Sequence, residues 1–345
     1  MMGRCVERAL PVVVMVLVVL TQVINLIVSK MAMSRGLNFF ILVLYADLLS
    51  TLISLPFAFI FSRSNNCPVT FAVLCKIFLL ALVGCVVQIC EYAGTNYGSP
   101  TLATAMMNLI PGFTFVLALI LRMETVNWRS LSSHAKTIGT LVSIAGAFVL
   151  TFYNGPPILN KPTLLFLSSK QDWILGAFLL VITALSNAIW YISQAAILKV
   201  YPAKMMILCF IFLFSTIQSA LVSLVTVRDW TAWKINPDIT LFAVFYTGCS
   251  TAFRVYLISW CIEKEGPLFV SMFKPLAIVV AAVVGVIWFS DTLYLGSIIG
   301  GVIIVVGFYA VTWGKFKENI SEVETLGNSA SSTPNAPLLQ VHTQN

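Results

Sequence analysis

The chain has 345 residues, of which 59% are hydrophobic and only 10% charged, with a formal net charge of +7. Soluble domains carry about 25% charged residues, so this composition excludes an ordinary soluble fold and, outside the last residues, disorder. The Lys and Arg residues lie mainly in short connecting segments, which marks a topology signal rather than a nucleic-acid surface; the class that remains is a polytopic membrane protein.

A spanning helix needs roughly 20 mostly apolar residues. Ten such runs are expected, near 10–30, 37–61, 69–92, 98–122, 131–152, 173–198, 203–226, 237–262, 267–289 and 292–313. The ten-residue alternation of membrane β-barrels is absent, so the spans are expected to be α-helical. The first run follows Arg4 and Arg8, has no small-x-small cleavage site and continues as TQVINLIVSK. It therefore reads as a retained helix rather than a signal peptide. Its Gln22, Asn25 and Ser29 are spaced i, i+3, i+7 and share one helical face.

Asp47 falls near the middle of the second run. The third has Lys76 near its start, where a long side chain snorkels to the interface, and Gln88 and Glu91 toward its other end. Glu91 at that place reads as a solvated helix end. The fourth carries Asn108 and Pro111, and the fifth Gly139 and Gly146. The sixth ends in WYISQAAILKVYPA, residues 190–203, where Asn187, Trp190 and Gln194 repeat the i, i+3, i+7 spacing. Arg254 lies in the eighth run, Lys274-Pro275 in the ninth and Gly296-x-x-x-Gly300 in the tenth, the last a small-residue packing face. Ionisable groups inside spans are costly in lipid and belong in the interior. A structural ion pair of Asp47 with Arg254 or Lys274 and direct contact with a solute are the two readings of these three residues. The polar stripes are likewise either interhelical hydrogen-bond contacts or walls of a water-filled cavity.

No chemistry beyond binding is visible. The eight cysteines form no CxxC pair, so neither a disulfide framework nor a metal site is expected. The two histidines, His134 and His342, belong to no HExxH, and GxSxG and Walker A sequences are absent. The expectation is therefore no enzyme, no cofactor, no metal and no ATP-driven pump.

Placing the N-terminus inside puts eleven Lys and Arg in inner segments and six in outer ones, with Lys76, Arg254 and Lys274 within spans. That bias places both termini in the cytosol. The end, SEVETLGNSASSTPNAPLLQVHTQN, is polar and aperiodic and reads as a disordered tail. The chain also matches itself at an offset near 165. Gly84-Cys85 pairs with Gly248-Cys249, GSP at 98–100 with EGP at 265–267, and Gly139 and Gly146 with Gly300 and Gly307. The stripe Gln22, Asn25, Ser29 pairs with Asn187, Trp190, Gln194. Two five-helix halves follow, and five is odd, so the second half lies upside down relative to the first. The expected organisation is a cytosolic segment 1–9, a first repeat 10–152, a connecting loop 153–172, a second repeat 173–313 and a tail 314–345. Inverted repeats can exchange shapes and so expose a central site to each side in turn.

WYISQAAILKVYPA resembles the signature of the walls-are-thin-related, nodulin-like plant transporters (UMAMITs). GSPTLATAMMNLIPGFTFVLALILRMETV is similar to their fourth helix, and GPLFVSMFKPLAIVVAAVVGVIWFSDTLYLGSIIGGVIIVVGFYAVTWGK to their last two. The resemblance spans about 8–317. It implies an all-α, ten-helix protein of two EamA-type repeats in the drug/metabolite transporter superfamily, with a cavity between the halves and helices five and ten at the periphery. It also implies movement of amino acids across the plasma membrane, often in either direction, with the vacuolar membrane and auxin as variants. Two departures stand out: Tyr45-Ala46-Asp47 where many members have Tyr-Arg, and Arg254.

The expected function is a secondary transporter of amino acids or related small organic solutes. An auxin or organic-anion transporter is the nearer alternative, and a non-transporting membrane scaffold or receptor the remoter one. The candidate cavity residues are Gln22, Asn25, Ser29, Asp47, Gln88, Asn108, Asn187, Trp190, Gln194, Arg254 and Lys274. Expected partners are a small solute and membrane lipid, with no nucleic acid; a homo-oligomer is compatible with the sequence.

Overall fold

A computed structural model of the chain describes residues 2–62, 70–98, 103, 106–121, 123, 131–153, 170–201, 204–235, 237–277, 279–280, 295, 299–303, 305–307, 309–311, 313–314 and 317. Within them the secondary structure is helical throughout: α1 (Met2–Ser34), α2 (Phe39–Ser62), α3 (Phe71–Tyr97), a 3-10 turn (Met107–Leu109) leading into α4 (Ile110–Ile120), α5 (Leu131–Phe152), α6 (Lys170–Val200), α7 (Lys204–Thr226), α8 (Ile239–Glu265) and the short α9 (Pro267–Met272). Residues 154–169 of the connecting loop, Gly296 and the tail beyond Lys317 lie outside the described residues, and α6 already begins at Lys170.

Six helices are long and apolar enough to cross a membrane: Ala9–Ser34, Phe39–Ile60, Phe71–Tyr97, Ile174–Val200, Lys204–Thr226 and Ile239–Glu265. The protein is therefore a multi-pass membrane protein. The other four expected spans are described only over shorter stretches: Met107–Ile120, Thr137–Gly146 within α5, α9, and Ile299–Val311.

Local sequence explains the breaks. α1 stops at Gly36, whose φ of 96° suits a residue without Cβ. Leu37 N–H then bonds Ala32 O at 3.2 Å and Gly36 N–H bonds Met33 O at 3.0 Å, a Schellman closure. Asn38 starts α2 by accepting Phe40 N–H on its side-chain oxygen at 2.9 Å. Gly266, at φ 87°, ends α8, and Pro267 opens α9 where its missing N–H costs nothing. α9 tightens after one and a half turns. Phe273 N–H bonds Val270 O and Lys274 N–H bonds Ser271 O, both one residue closer than in an α-helix, just where Pro275 cannot donate. A 3-10 turn at Met107–Leu109 and Pro111 stand at the corresponding place in the first half.

Cross-helix contacts set the directions. α1 runs antiparallel to α8, through Asn25 with Ser250, Ser29 with Thr247, and the Arg35–Asp238 ion pair at 3.6 Å. It runs parallel to α3, through Asn25 with Tyr92 and Lys30 with Thr95. α3 is antiparallel to α6: a Cβ added at Gly176 would sit 2.9 Å from Gly98 N, and one at Gly84 3.3 Å from Trp190 Nε1. α2 is antiparallel to α7, through Ser223 with Phe40 and Thr51 with Thr216. Close passage of α8 along α2 depends on Gly248, whose Cβ would meet Leu49 at 2.8 Å. At the end opposite Arg35–Asp238, Lys204 pairs with Glu263.

Polarity is inside out relative to a soluble protein. Phe59, Phe71 and Val225 are 77%, 79% and 74% exposed, whereas Asp47, Ser50, Ser54 and Gln194 have no exposed surface. Apolar surface faces lipid at no cost, while every buried polar group needs a partner. α5 meets the Ile299–Val311 stretch where Gly139 faces Gly307, a Cβ at Gly139 falling 2.7 Å from Gly307 O.

Candidate substrate cavity

The helices surround a cavity of about 100 Å³ lined from α1 by Gln22, from α3 by Gly84, Gln88, Glu91 and Tyr92, from α6 by Asn187, Trp190 and Tyr191, from α7 by Ser215, from α8 by Thr251 and Arg254, and by Lys274 after α9. Roughly 30 Å³ holds one water, so this space has room for only a few water-sized groups.

Each polar wall has its own support. Gln22 is 95% buried and uses both ends of its amide: its oxygen accepts Lys274 Nζ at 2.6 Å and its nitrogen faces Met107 Sδ at 3.4 Å. The Lys274 ammonium also lies 5.9 Å from the centre of the Tyr191 ring, within cation–π range. The short α9 and the turn at Pro275 carry this lysine into the interior, where it is 5% exposed. Arg254 spends two of its donors on its own helix, Nε to Ser250 O at 3.3 Å and Nη2 to Thr251 Oγ1 at 3.2 Å. Trp190 stands against Tyr191 edge to face, ring centres 5.6 Å apart, and packs against Gly84.

Asp47 has no exposed surface and lies behind this wall. Gln88 Nε2 donates to Oδ1 at 3.0 Å and Ser215 Oγ to Oδ2 at 2.7 Å. Of the two readings of these residues, an ion pair of Asp47 with Arg254 or Lys274 is not formed. Both cations turn instead to uncharged oxygens, while Asp47 is met by the amide of α3 and by hydroxyls of α7.

The two stripes divide. Gln22, Asn187 and Trp190 reach the cavity. Asn25 instead bonds Tyr92 OH at 2.8 Å, Ser29 pairs with Thr247 at 3.4 Å, and Gln194 donates to Ser259 at 2.5 Å while its oxygen has no partner among the described residues. These three tie helices together away from the cavity. Asn108 is buried in the 3-10 turn and does not line the space either.

Glu91 is partly exposed and lines the cavity, on a helix that continues beyond it to Tyr97. Tyr92, Ser215 and Thr251 were not anticipated; single hydroxyls in spans are too common to signal a site. Lys30 looked like an outer loop charge, yet it donates to Thr95 O at 3.0 Å and Asn96 O at 2.7 Å. It thereby covers free carbonyls at the end of α3. A larger groove of about 320 Å³ runs between α3 and α6 past Lys76, Leu79 and Val200. Its rim residues Leu79 and Val200 are 58% and 65% exposed. An apolar groove offers nothing to orient a polar solute, so the smaller polar cavity is the candidate site.

Comparison with known proteins agrees with this architecture. The EamA-like transporter family matches residues 9–152. The chain is 41% identical over 319 residues to one WAT1-related protein of Arabidopsis thaliana, covering 90% of this chain and 87% of the relative. It is 40% identical over 326 residues to a second, covering 91% and 87%. A solved crystal structure superposes with a TM-score of 0.64 over 90% of this chain and 98% of that chain. At 14% identity that likeness concerns the fold alone.

Proposed function

This chain belongs to the WAT1-related family of EamA-like transporters, and we propose that it carries amino acids or related small zwitterions across a membrane by alternating access, without ATP. The observation that carries this reading is the charge pattern of the cavity. Two cations, Arg254 and Lys274, and one carboxylate, Glu91, line the same small space. A zwitterion crossing lipid needs a partner for each end, and this set offers cations to its carboxylate and an anion to its ammonium. Trp190 and Tyr191 supply a flat apolar wall for the side chain. At about 100 Å³ the space must widen for all but the smallest solutes.

The helix directions support two inverted halves. α1 is antiparallel to α6, its counterpart at an offset near 165, since α1 runs parallel to α3 and α3 antiparallel to α6. Ten spans with both termini in the cytosol, most simply of the plasma membrane, complete the reading.

An organic-anion transporter is favoured by one feature: cations outnumber acids among the lining residues. Counterflow in proteoliposomes separates the readings. Labelled neutral amino acids should exchange, and an organic anion such as an indole carboxylate should compete weakly. Strong competition by the anion with no amino-acid exchange would favour the alternative. No exchange of either would favour a scaffold.

A further inference from the structure

Asp47 sits in a seam of hydroxyls between α2 and α7. Ser50, Thr51 and Ser54 flank it on its own helix, and Ser215, Thr216 and Ser219 face it across the contact. Its carboxylate accepts from Gln88 on Oδ1 and from Ser215 on Oδ2, with Ser219 close by. Gln88 and Ser215 also line the cavity, so Asp47 is one side chain removed from the solute path.

The groups that face it are neutral. From α3 come Gln88 and the Cys85 thiol, close enough to sense the Asp47 charge. From α7 come Ser215 and Ser219. From α8, Arg254 lines the neighbouring cavity but is turned to Ser250 and Thr251. Lys274, from the segment after α9, is bound to Gln22, and Glu91 of α3 lines the cavity one turn beyond Gln88. A buried carboxylate supported by neutral donors alone is costly inside a membrane span, and such a group neutralises rather than remain charged.

We propose that Asp47 is a proton-binding site that couples solute movement to a proton. The proposal rests on the transport reading above and adds the second transported species. A hydronium in the cavity gives its proton to Oδ2, the water is released, and the carboxylate becomes a carboxylic acid; no electron moves. Ser215, which both donates and accepts, is the hydroxyl between cavity and Oδ2. When the cavity opens to the other side the same proton leaves by the reverse step. An alkali cation fits worse, because Gln88 and Ser215 present hydrogens to the carboxylate, not lone pairs. A solute ammonium fits worse too, since Glu91 is exposed to the cavity and Asp47 is covered.

The test uses the full-length protein in proteoliposomes. Counterflow of labelled amino acid at equal pH reports transport itself. Net accumulation under an inward proton gradient, with the membrane potential clamped at zero by potassium and valinomycin, reports coupling, and at one proton per solute it should reach about tenfold for one pH unit and vanish with a protonophore. Asp47→Asn should abolish accumulation while counterflow remains measurable, and Asp47→Glu should restore it. In the wild type, adding amino acid at equal pH should move protons into the vesicles, read by a trapped pH dye; this arm does not depend on any variant folding. Wild-type counterflow without gradient-driven accumulation or proton movement overturns the coupling and leaves the transport reading standing. Accumulation driven by a sodium gradient instead overturns the proton, and accumulation retained in Asp47→Asn overturns Asp47. Absence of all counterflow overturns the transport reading and this proposal with it.

Discussion

Lys274 and Gln22 are joined by a 2.6 Å hydrogen bond although 252 residues separate them. It links the turn after α9 to the middle of α1 at the cavity wall. The acceptor is a neutral amide, so no carboxylate of the protein stands between the lysine and an incoming carboxylate. A salt bridge at the same place would have spent that charge within the protein.

Removing either partner should have distinct effects. Gln22→Ala leaves the ammonium without its acceptor and should destabilise the detergent-solubilised protein by about 1.5–3 kcal/mol, the worth of a hydrogen bond to a charged group. Lys274→Met removes the charge together with its need for a partner. It leaves the buried Gln22 oxygen without its donor, a cost of about 1–3 kcal/mol, and should lose amino-acid counterflow per folded molecule by about tenfold or more, the equivalent of 1.4 kcal/mol. Counterflow at matched surface abundance decides, and unchanged exchange in Lys274→Met would remove this residue from the site.

Gly84 sets the position of Trp190. A Cβ there would lie 3.3 Å from the indole nitrogen, a fit that a shift of a few tenths of an ångström relieves. Gly84→Ala should therefore transport nearly as well as wild type. Gly84→Val overpacks the contact, at a typical cost of about 1–3 kcal/mol, and should push the indole into the cavity and block exchange. Trp190→Phe in the Gly84→Val background should recover part of the activity. Strictly additive losses in that double mutant would show that the two residues do not interact.

Glu91 should govern selectivity. Neutralising it as Glu91→Gln leaves the lining with Arg254 and Lys274 alone. Competition by organic anions should then rise relative to neutral amino acids, with the protein folded and at the membrane. A competition profile identical to wild type would sink the idea that this carboxylate meets the solute.

The contact of Gly139 with Gly307 should matter for stability and not for transport. It joins α5 to the Ile299–Val311 stretch, and neither lines the cavity. Gly139→Leu forces the two backbones apart and should lower the thermal midpoint by several degrees. Exchange per folded molecule should stay close to wild type, measured after quantifying the monodisperse fraction.

Much of this molecule is legible in one dimension. Apolar run lengths place the six spanning helices to within a few residues, because lipid demands a continuous internally bonded helix. Gly36, Asn38, Gly266 and Pro267 mark where helices stop and start, because φ and the missing proline N–H are local properties. Spacing alone puts Gln22, Asn25 and Ser29, or Asn187, Trp190 and Gln194, on single faces. What the tertiary structure decided is which neighbour each face meets. A stripe covers two turns of helix, and neighbouring helices divide it: Gln22 opens into the cavity while Ser29 closes on Thr247. Asp47 was visible as a charge out of place, but its partners come from α3 and α7, 41 and 168 residues away. Glu91 was placed in depth by the sequence, but that it lines the cavity depends on the neighbouring helices. Helical period fixes direction around one axis. Only packing sets the rotation and offset between axes, and those decide whether a buried polar group is a joint or part of a site.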